Sequence, residues 1–244
     1  MTPVEPPNAR AAYEAWHRAL PASDLEAPPW VRMIRTHLEP ERDLADRRVL
    51  EIGCGRGDFA RSLAALESGP RLLVAADFAV SAVAAGRGAA REGGLDRIAW
   101  QVADIGALGF PDATFDTVFS LETIEHCPSP ALAVAELARV LKPGGRLYLT
   151  TPNYLNLSGL YRIYLRLRGR RFSEAGQPIN HPMLLPRTRA LVRRAGLRIV
   201  TTATVGHPLP LPGGAIDLAF LERFGPLTRW FGIQSMVVAE KPLP

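Results

Sequence analysis

Leu121-Glu122-Thr123-Ile124-Glu125-His126-Cys127-Pro128 gathers two carboxylates and an imidazole within five residues, with Glu122, Glu125 and His126 at offsets of 0, 3 and 4. On a helical turn those offsets share one face. Groups crowded in this way repel or desolvate one another unless a cation or hydrogen bonds compensate. A divalent ion would do so, and mixed oxygen and nitrogen donors suit Mg²⁺, Mn²⁺ or Zn²⁺ alike. Without a metal, His126 or Glu125 is the candidate catalytic base, an effect of about 10²–10⁴-fold. Cys127 points elsewhere on such a helix and is left out of the set.

A second constellation lies upstream. Val49-Leu50-Glu51-Ile52-Gly53-Cys54-Gly55-Arg56-Gly57-Asp58-Phe59 places three glycines after an apolar run and before a helical one, where the backbone must turn sharply and approach a ligand. The spacing is G-x-G-x-G, not the G-x-G-x-x-G that seats a dinucleotide pyrophosphate, so a phosphate-free ligand is expected. Asp77, 20 residues after Gly57, ends the next apolar run, where its carboxylate can accept from both hydroxyls of a ribose. Phe78 is beside it to pack on an adenine face, and Asp104 at the end of the third run can accept from an exocyclic amine. Singly, each acid reads as a helix cap and Phe78 as core. Together they fall at successive strand ends, where open α/β sheets bind ligands.

Both constellations require a parallel sheet to hold them. Strands are expected at about Arg48–Ile52, Arg71–Ala76, Ile98–Ala103, Phe115–Leu121 and Arg146–Thr150, with helices at about Asp58–Glu67, Val80–Arg91 and Pro130–Leu141. This alternation predicts an α/β, doubly wound, Rossmann-like fold. Lys142-Pro143-Gly144-Gly145 is expected to stop the third helix. The rhythm then breaks for about thirty residues and resumes with a helix Pro186–Ala195, a strand Leu197–Val205, a Pro/Gly-rich stretch His207 to Gly214, an apolar segment Ile216–Phe231 and a strand Ser235–Glu240. Ahead of the sheet, helical patterns cover Ala9–Leu20 and Trp30–Leu38. The expected organisation is an amino-terminal helical cap (1–47), a main domain (48–152 and 183–244) and a lid insertion (153–182).

From Arg48 to Asn153 the chain resembles the class I S-adenosylmethionine-dependent methyltransferases, through VLEIGCGRG, the acid in AADFA, VADI, FPDATFDTVFSLETIEH and ELARVLKPGGRLYLTTPN. The resemblance implies that Glu51 with Gly53 and Gly55 holds the methionine part of S-adenosyl-L-methionine, Asp77 the ribose, and Asp104 with Ile105 the adenine. Cys54 in the glycine loop and Leu121 at the fourth strand's end are expected to touch the same cofactor. It further implies a seven-stranded sheet with an antiparallel last strand, which Ser235–Glu240 can supply. The E-x-x-E-H set is similar to the metal-binding motif of the ubiquinone-biosynthesis O-methyltransferases and of the small-RNA 3′-terminal 2′-O-methyltransferases. In both groups a downstream histidine joins the ion, and His181 is the candidate here, giving Glu122, Glu125, His126 and His181 as implied ligands.

The expected reaction is methyl transfer to a hydroxyl of a small, hydrophobic or catechol-like acceptor, a vicinal diol being able to chelate the ion. RNA 2′-O-methylation and a non-catalytic cofactor-binding role stand as alternatives. Tyr154–Arg168 reads as a basic amphipathic helix that could lie on a membrane surface, cover a greasy acceptor or meet RNA phosphates. Its apolar content favours the greasy acceptor over nucleic acid. Phe220, Phe224, Trp230 and Phe231 could form a second wall of the acceptor pocket, and Tyr13, Trp16 and His17 could close over the cofactor.

Of 244 residues, 47% are hydrophobic and 22% charged, an ordinary globular balance that excludes disorder, collagen and coiled coil. No apolar run approaches the roughly 18 residues of a spanning helix, and Met1–Asn8 lacks the basic and apolar stretches of a secretory signal. With two widely separated cysteines expected as reduced thiols, the chain is expected to be cytoplasmic. The net charge of +5 is local: Arg162, Arg166, Arg168, Arg170 and Arg171 lie in an acid-free interval from Pro152 to Ser173. Oligomeric state is not legible.

Overall fold

The computed structural model describes residues 9–19, 29–169, 177–211, 214–218, 220, 228 and 230–244. Helices α1 (Ala9–Ala19) and α2 (Pro29–His37) and a single turn, α3 (Pro40–Asp43), precede the sheet. The chain then runs β1 (Arg48–Ile52), α4 (Asp58–Ala64), β2 (Leu72–Asp77), α5 (Val80–Glu92), β3 (Ile98–Val102), β4 (Phe115–Leu121), a 3₁₀ turn (Ile124–His126), α6 (Pro130–Val140) and β5 (Leu141–Pro152). Beyond these come α7 (Leu157–Leu167), α8 (Leu185–Arg194), β6 (Arg198–Val205), β7 (Pro208–Leu211), β8 (Gly214–Asp217) and β9 (Gln234–Glu240).

Seven strands form one sheet in the order β3-β2-β1-β4-β5-β9-β6. The β1–β2, β1–β4, β2–β3 and β4–β5 pairs are parallel, while β9 runs antiparallel to both β5 and β6. This is the Rossmann-like sheet with an antiparallel last strand, β9 filling the place expected of Ser235–Glu240. Because helices cover both faces, β1 and β2 bury consecutive residues instead of alternating ones. Leu50, Ile52, Val74 and Val118 pack one core with Leu137 and Val192; Val49, Leu73, Phe119 and Tyr148 pack the other with Ile34 and Phe59. Each fully buried side chain of this size contributes about 1.5–3 kcal/mol.

Some boundaries depart from the sequence reading. Helix α4 ends at Ala64 because Leu66 N–H turns back to the Leu63 carbonyl and tightens the last turn. Helix α6 starts at Pro130 behind Ser129, whose hydroxyl accepts from Leu132 N–H at 3.3 Å, and gives way to strand already at Leu141. The Lys-Pro-Gly-Gly run is thus the irregular start of β5, where the pairing with β4 shifts register between Phe115 and Thr117. Gly145 is required there: a Cβ would lie 2.7 Å from the Asp116 carbonyl oxygen.

The Pro/Gly-rich stretch forms a small separate hairpin, with Leu209 opposite Ile216. Prolines fit a two-stranded ribbon because each strand has an unpaired edge for the missing donor. The α3 turn has no counterpart in the sequence reading. It has Pro40 in its first turn, and Asp43 accepts from the Glu39 N–H at 2.8 Å. Buried Asp43 also accepts from the Tyr148 hydroxyl at 2.6 Å, while Arg146 Nη1 reaches Glu39 at 2.8 Å, tying the segment before the sheet to β5. No helix among the described residues is long and apolar enough to cross a membrane. Arg170, Arg171 and Phe224 lie outside the described residues.

Candidate active site

The carboxyl ends of β1, β2, β3 and β4 open into a cavity of about 510 Å³. The loop after β1 has its three glycines in the left-handed region, with φ of 74° at Gly53, 53° at Gly55 and 74° at Gly57. Gly53 cannot carry a side chain, since a Cβ would lie 2.2 Å from Thr123 Oγ1. Gly53 N–H and Cys54 N–H both donate to the Ala76 carbonyl, at 2.8 and 3.0 Å, stitching the loop to the end of β2. The result is a fixed backbone cradle facing the cavity.

Asp77 is held from two sides: Oδ2 accepts from Gly55 N–H at 2.8 Å and Oδ1 from Ala79 N–H at 2.9 Å. Each oxygen keeps a lone pair for a ligand hydroxyl. Phe78, Asp104 and Ile105 line the same cavity, and Asp104 is oriented by accepting from Gly106 N–H at 2.8 Å. Gly53 and Gly55 line it as well. Glu51, Cys54 and Leu121, the other expected contacts, are buried at the first and fourth strand ends but are not among the lining residues. Burial pushes the Glu51 carboxyl up to about 8, so it is largely protonated at neutral pH. A wall of glycine backbone, a fixed acid at a strand end and an aromatic beside it suits the adenosyl, ribose and amino-acid parts of S-adenosyl-L-methionine. The volume falls in the usual range for small ligands, ~300–1,000 Å³.

Helix α1 covers the cavity, contributing Tyr13, Trp16 and His17 to its lining. The Glu14 carboxylate accepts from Val80 and Ser81 N–H, at 2.5 and 3.1 Å, and so caps the amino end of α5. Hydrogen bonding to Ser81, its side chain foremost, with the Val80 N–H and nearby Arg18, holds its carboxyl below the ordinary range. The Tyr13 hydroxyl donates to the His126 and Ile179 carbonyls at 3.3 and 3.4 Å, and burial keeps it protonated. Arg56 Nη2 donates to the His17 carbonyl at 2.7 Å. The His17 ring lies 3.9 Å from Asp77, and desolvation lowers its pKa despite that acid.

The acid-imidazole set is arranged differently from a helical face. Glu122 sits at φ 50°, a left-handed turn ahead of the short 3₁₀ segment, and this breaks the i, i+3, i+4 register. Glu122 and His126 line the cavity, whereas Glu125 is fully buried and does not. His126 Nδ1 lies 2.8 Å from the Ile179 carbonyl and therefore carries the proton of that bond, while Nε2 is 3.5 Å from Glu125 Oε1. His181 is buried, does not line the cavity, and is held through its backbone N–H donating to the Glu125 carbonyl at 2.8 Å. Desolvation lowers its pKa, so its ring is neutral.

Among the described residues no three His, Cys, Asp or Glu side chains converge closely enough to hold a metal ion. The implied ligand set of Glu122, Glu125, His126 and His181 thus does not fit an ion as it stands. Cys127, set aside in the sequence reading, does line the cavity, because the stretch is not a continuous helix. Its thiol is 3.5 Å from the Thr123 carbonyl, and burial pushes it up, out of the thiolate range. Gln177 and Ile179, from the segment after α7, and Thr123, Ser129 and Leu132 complete walls that no motif announced. Thr123 sits inside the quoted Glu-Thr-Ile-Glu-His stretch, but only the structure shows it filling the space beside Gly53. Phe220, Trp230 and Phe231 do not line this cavity.

Residues 50–149 match the family model described as "Methyltransferase domain". A probable tocopherol O-methyltransferase, chloroplastic, of Oryza sativa subsp. japonica is 39% identical over 114 residues, covering 46% of this chain and 30% of that protein. A ubiquinone biosynthesis O-methyltransferase of Xanthomonas euvesicatoria pv. vesicatoria is 35% identical over 141 residues, covering 57% of this chain and 56% of that protein. The chain therefore spans no more than 56% of the length of either relative. In fold it is similar to a SAM-dependent methyltransferase structure from Methanosarcina mazei, at a TM-score of 0.62 and 22% identity, covering 90% of this chain and 100% of the other. The match over residues 50–149, the sheet order and the cradle at the ends of β1 and β2 together support reading this part of the chain as a class I S-adenosylmethionine-dependent methyltransferase domain.

Proposed function

We propose that the chain transfers the methyl group of S-adenosyl-L-methionine to a hydroxyl of a small apolar acceptor, with His126 as the proton-accepting side chain. The observation that carries this reading is the placement of His126 on the wall of the cavity whose other end is the Gly53–Gly55 and Asp77 cradle. The bound sulfonium supplies an activated methyl carbon: its carbon–sulfur bond breaks as the oxygen–carbon bond forms, and the hydroxyl proton leaves to the protein.

His126 suits that proton. Its Nδ1–H is committed to the Ile179 carbonyl, which makes Nε2 the basic nitrogen, and the Glu125 carboxyl 3.5 Å away favours the imidazolium that forms. Glu125 itself, walled off from the cavity, is a positioning residue in this scheme. The cradle and α1 align the reacting groups, a contribution of about 7–11 kcal/mol in favourable intramolecular cases.

The apolar walls of Trp16, Leu132 and Ile179 support a greasy acceptor. The relatives are named as O-methyltransferases, which supports a hydroxyl as the receiving group. An ion chelated by a catechol has no gathered ligand set among the described residues, so the scheme routes no step through a metal.

Transfer of labelled methyl to a series of phenols of increasing apolar bulk tests the proposal, run with and without a chelator and with His126→Ala. The expected result is methyl ether formation insensitive to chelation, with kcat lowered about 10²–10⁴-fold in the variant and cofactor affinity kept. An unchanged rate in His126→Ala rejects the assigned base. Activity abolished by the chelator and restored by one divalent ion rejects the metal-free scheme.

A further inference from the structure

Helix α7 presents the wrong face to water. Its inner side is set by Gly159, where a Cβ would lie 2.0 Å from the Tyr154 carbonyl oxygen, and by Arg162, whose guanidinium lies over the Tyr154 ring at 5.2 Å. The outer side carries Leu160, Tyr161, Ile163, Tyr164 and Leu167, between 43% and 82% exposed. At helical spacing these five side chains cover one continuous arc of about 160°. A helix on a soluble surface turns such a stripe inward; here the stripe faces out and a charged residue packs in.

The charge around it selects an occupant. From Pro152 to Ser173 the sequence has five arginines and no acid, equal to the whole +5 excess of the chain. Exposed Arg168, at the end of the helix, has its guanidinium 5.9 Å from the centre of the Tyr164 ring. A second copy covering the stripe would bring two acid-free arginine sets together. Nucleic acid would need polar, cationic groups outward, whereas the described outward groups are mostly hydrocarbon and phenol. Apolar side chains with tyrosines, bordered by Arg168 and set in an acid-free, arginine-bearing interval of sequence, match the boundary between phosphates and acyl chains of an anionic bilayer.

We propose that α7 is an in-plane anchor on an anionic phospholipid bilayer, with Leu160, Ile163, Tyr164 and Leu167 entering the interface and exposed Arg168, at the end of the helix, meeting a phosphate. The anchor is joined to the cavity: Asn180 Nδ2 lies 3.4 Å from the Tyr154 hydroxyl, and Ile179 lines the cavity wall. Delivery of an apolar acceptor out of the lipid through this wall rests on the acceptor class proposed above; the attachment itself does not.

The test is flotation of the full chain with vesicles of phosphatidylcholine alone or mixed with phosphatidylglycerol, at low and high salt, for the wild type and the double variant Leu160→Glu, Leu167→Glu. The expected result is salt-sensitive binding to the anionic vesicles that falls at least roughly tenfold in the variant, with S-adenosyl-L-methionine affinity unchanged as a check on folding. No wild-type binding, or equal binding by the variant, overturns the anchor. So does sedimentation showing that the wild type self-associates through this face while ignoring vesicles. Vesicle binding by a protein that ignores S-adenosyl-L-methionine would leave the anchor standing and sink only the enzymatic reading.

Discussion

On its sheet side the cavity is walled by backbone and short side chains at the ends of β1, β2 and β3, where the Gly53, Cys54, Gly55 and Ala79 amides are all engaged in hydrogen bonds. Its opposite wall is laid on from afar: Tyr13 from α1 and Gln177 and Ile179 from the segment after α7, with the Tyr13 hydroxyl bonds at 3.3 and 3.4 Å. The first wall cannot change without disturbing the core beneath it. The second is tied on through side chains, the Glu14 carboxylate on Val80 and Ser81 N–H, Arg56 on the His17 carbonyl and the longer Tyr13 bonds, and can be remodelled without rebuilding the core. In the scheme proposed above, the donor sits against the first and the acceptor meets the second.

The sharpest break of that contrast is Gly53→Val. The substitution meets Thr123 and forces a β-branched residue to φ 74°, a strain alone of about 1–3 kcal/mol. Cofactor affinity measured by calorimetry is expected to fall more than about 100-fold, with a lower Tm, the backbone strain adding to the lost cradle. Gly55→Ala, whose nearest neighbour is His17 Cε1 at 3.9 Å, is expected to cost much less. Equal losses in the two would show that the loop is not the rigid wall described.

Asp77→Asn comes next. It keeps the shape but removes a charged acceptor, so affinity for the cofactor is expected to fall roughly 10- to 100-fold, with kcat at saturation little altered. A similar loss in kcat would move Asp77 from binding to chemistry.

Glu51 supplies a pH signature on the rigid side. Its carboxyl is raised from 4.5 to about 8 in the fold, so the unfolded chain ionises first as pH rises. Folding stability is therefore expected to fall between pH 4.5 and about 8 and then level off. A cationic ammonium bound nearby would draw the proton off. Binding is then expected to tighten as pH rises toward 8 by at most about tenfold per unit, with proton release visible in buffers of different ionisation enthalpy, and Glu51→Gln should flatten the profile. A flat profile in the wild type would leave Glu51 a neutral structural acid.

The smallest effect is expected on the appended wall. Tyr13→Phe removes the hydroxyl that reaches the His126 and Ile179 carbonyls, worth about 0.5–1.5 kcal/mol. Hydrogen exchange of α1 should speed up several-fold while α4 and β1 stay protected. Loss of protection throughout would show that the two walls are one cooperative unit.

What could be read from residues alone followed the same division. Gly53, Gly55, Asp77, Phe78 and Asp104 are local to strand ends, and strand order carries them to one cavity without any long-range accident. Glu122, Glu125 and His126 misled because helical spacing presumes helical backbone. The left-handed Glu122 puts one carboxyl in the cavity wall and leaves the other in the core. Gln177 and Ile179 had no motif, since their role comes from where the chain returns after α7.

The amino-acid sequence determined the α/β layering, the glycine turn and the acid at the end of the second strand, because turn geometry and strand burial are set by neighbours a few residues away. Tertiary structure alone decided that Glu125 is sealed inside, that His126 shares a wall with Ile179 and that α7 shows its apolar stripe outward. Each of these depends on which distant segments pack together, and the free energy of that packing is written in no single stretch of the chain.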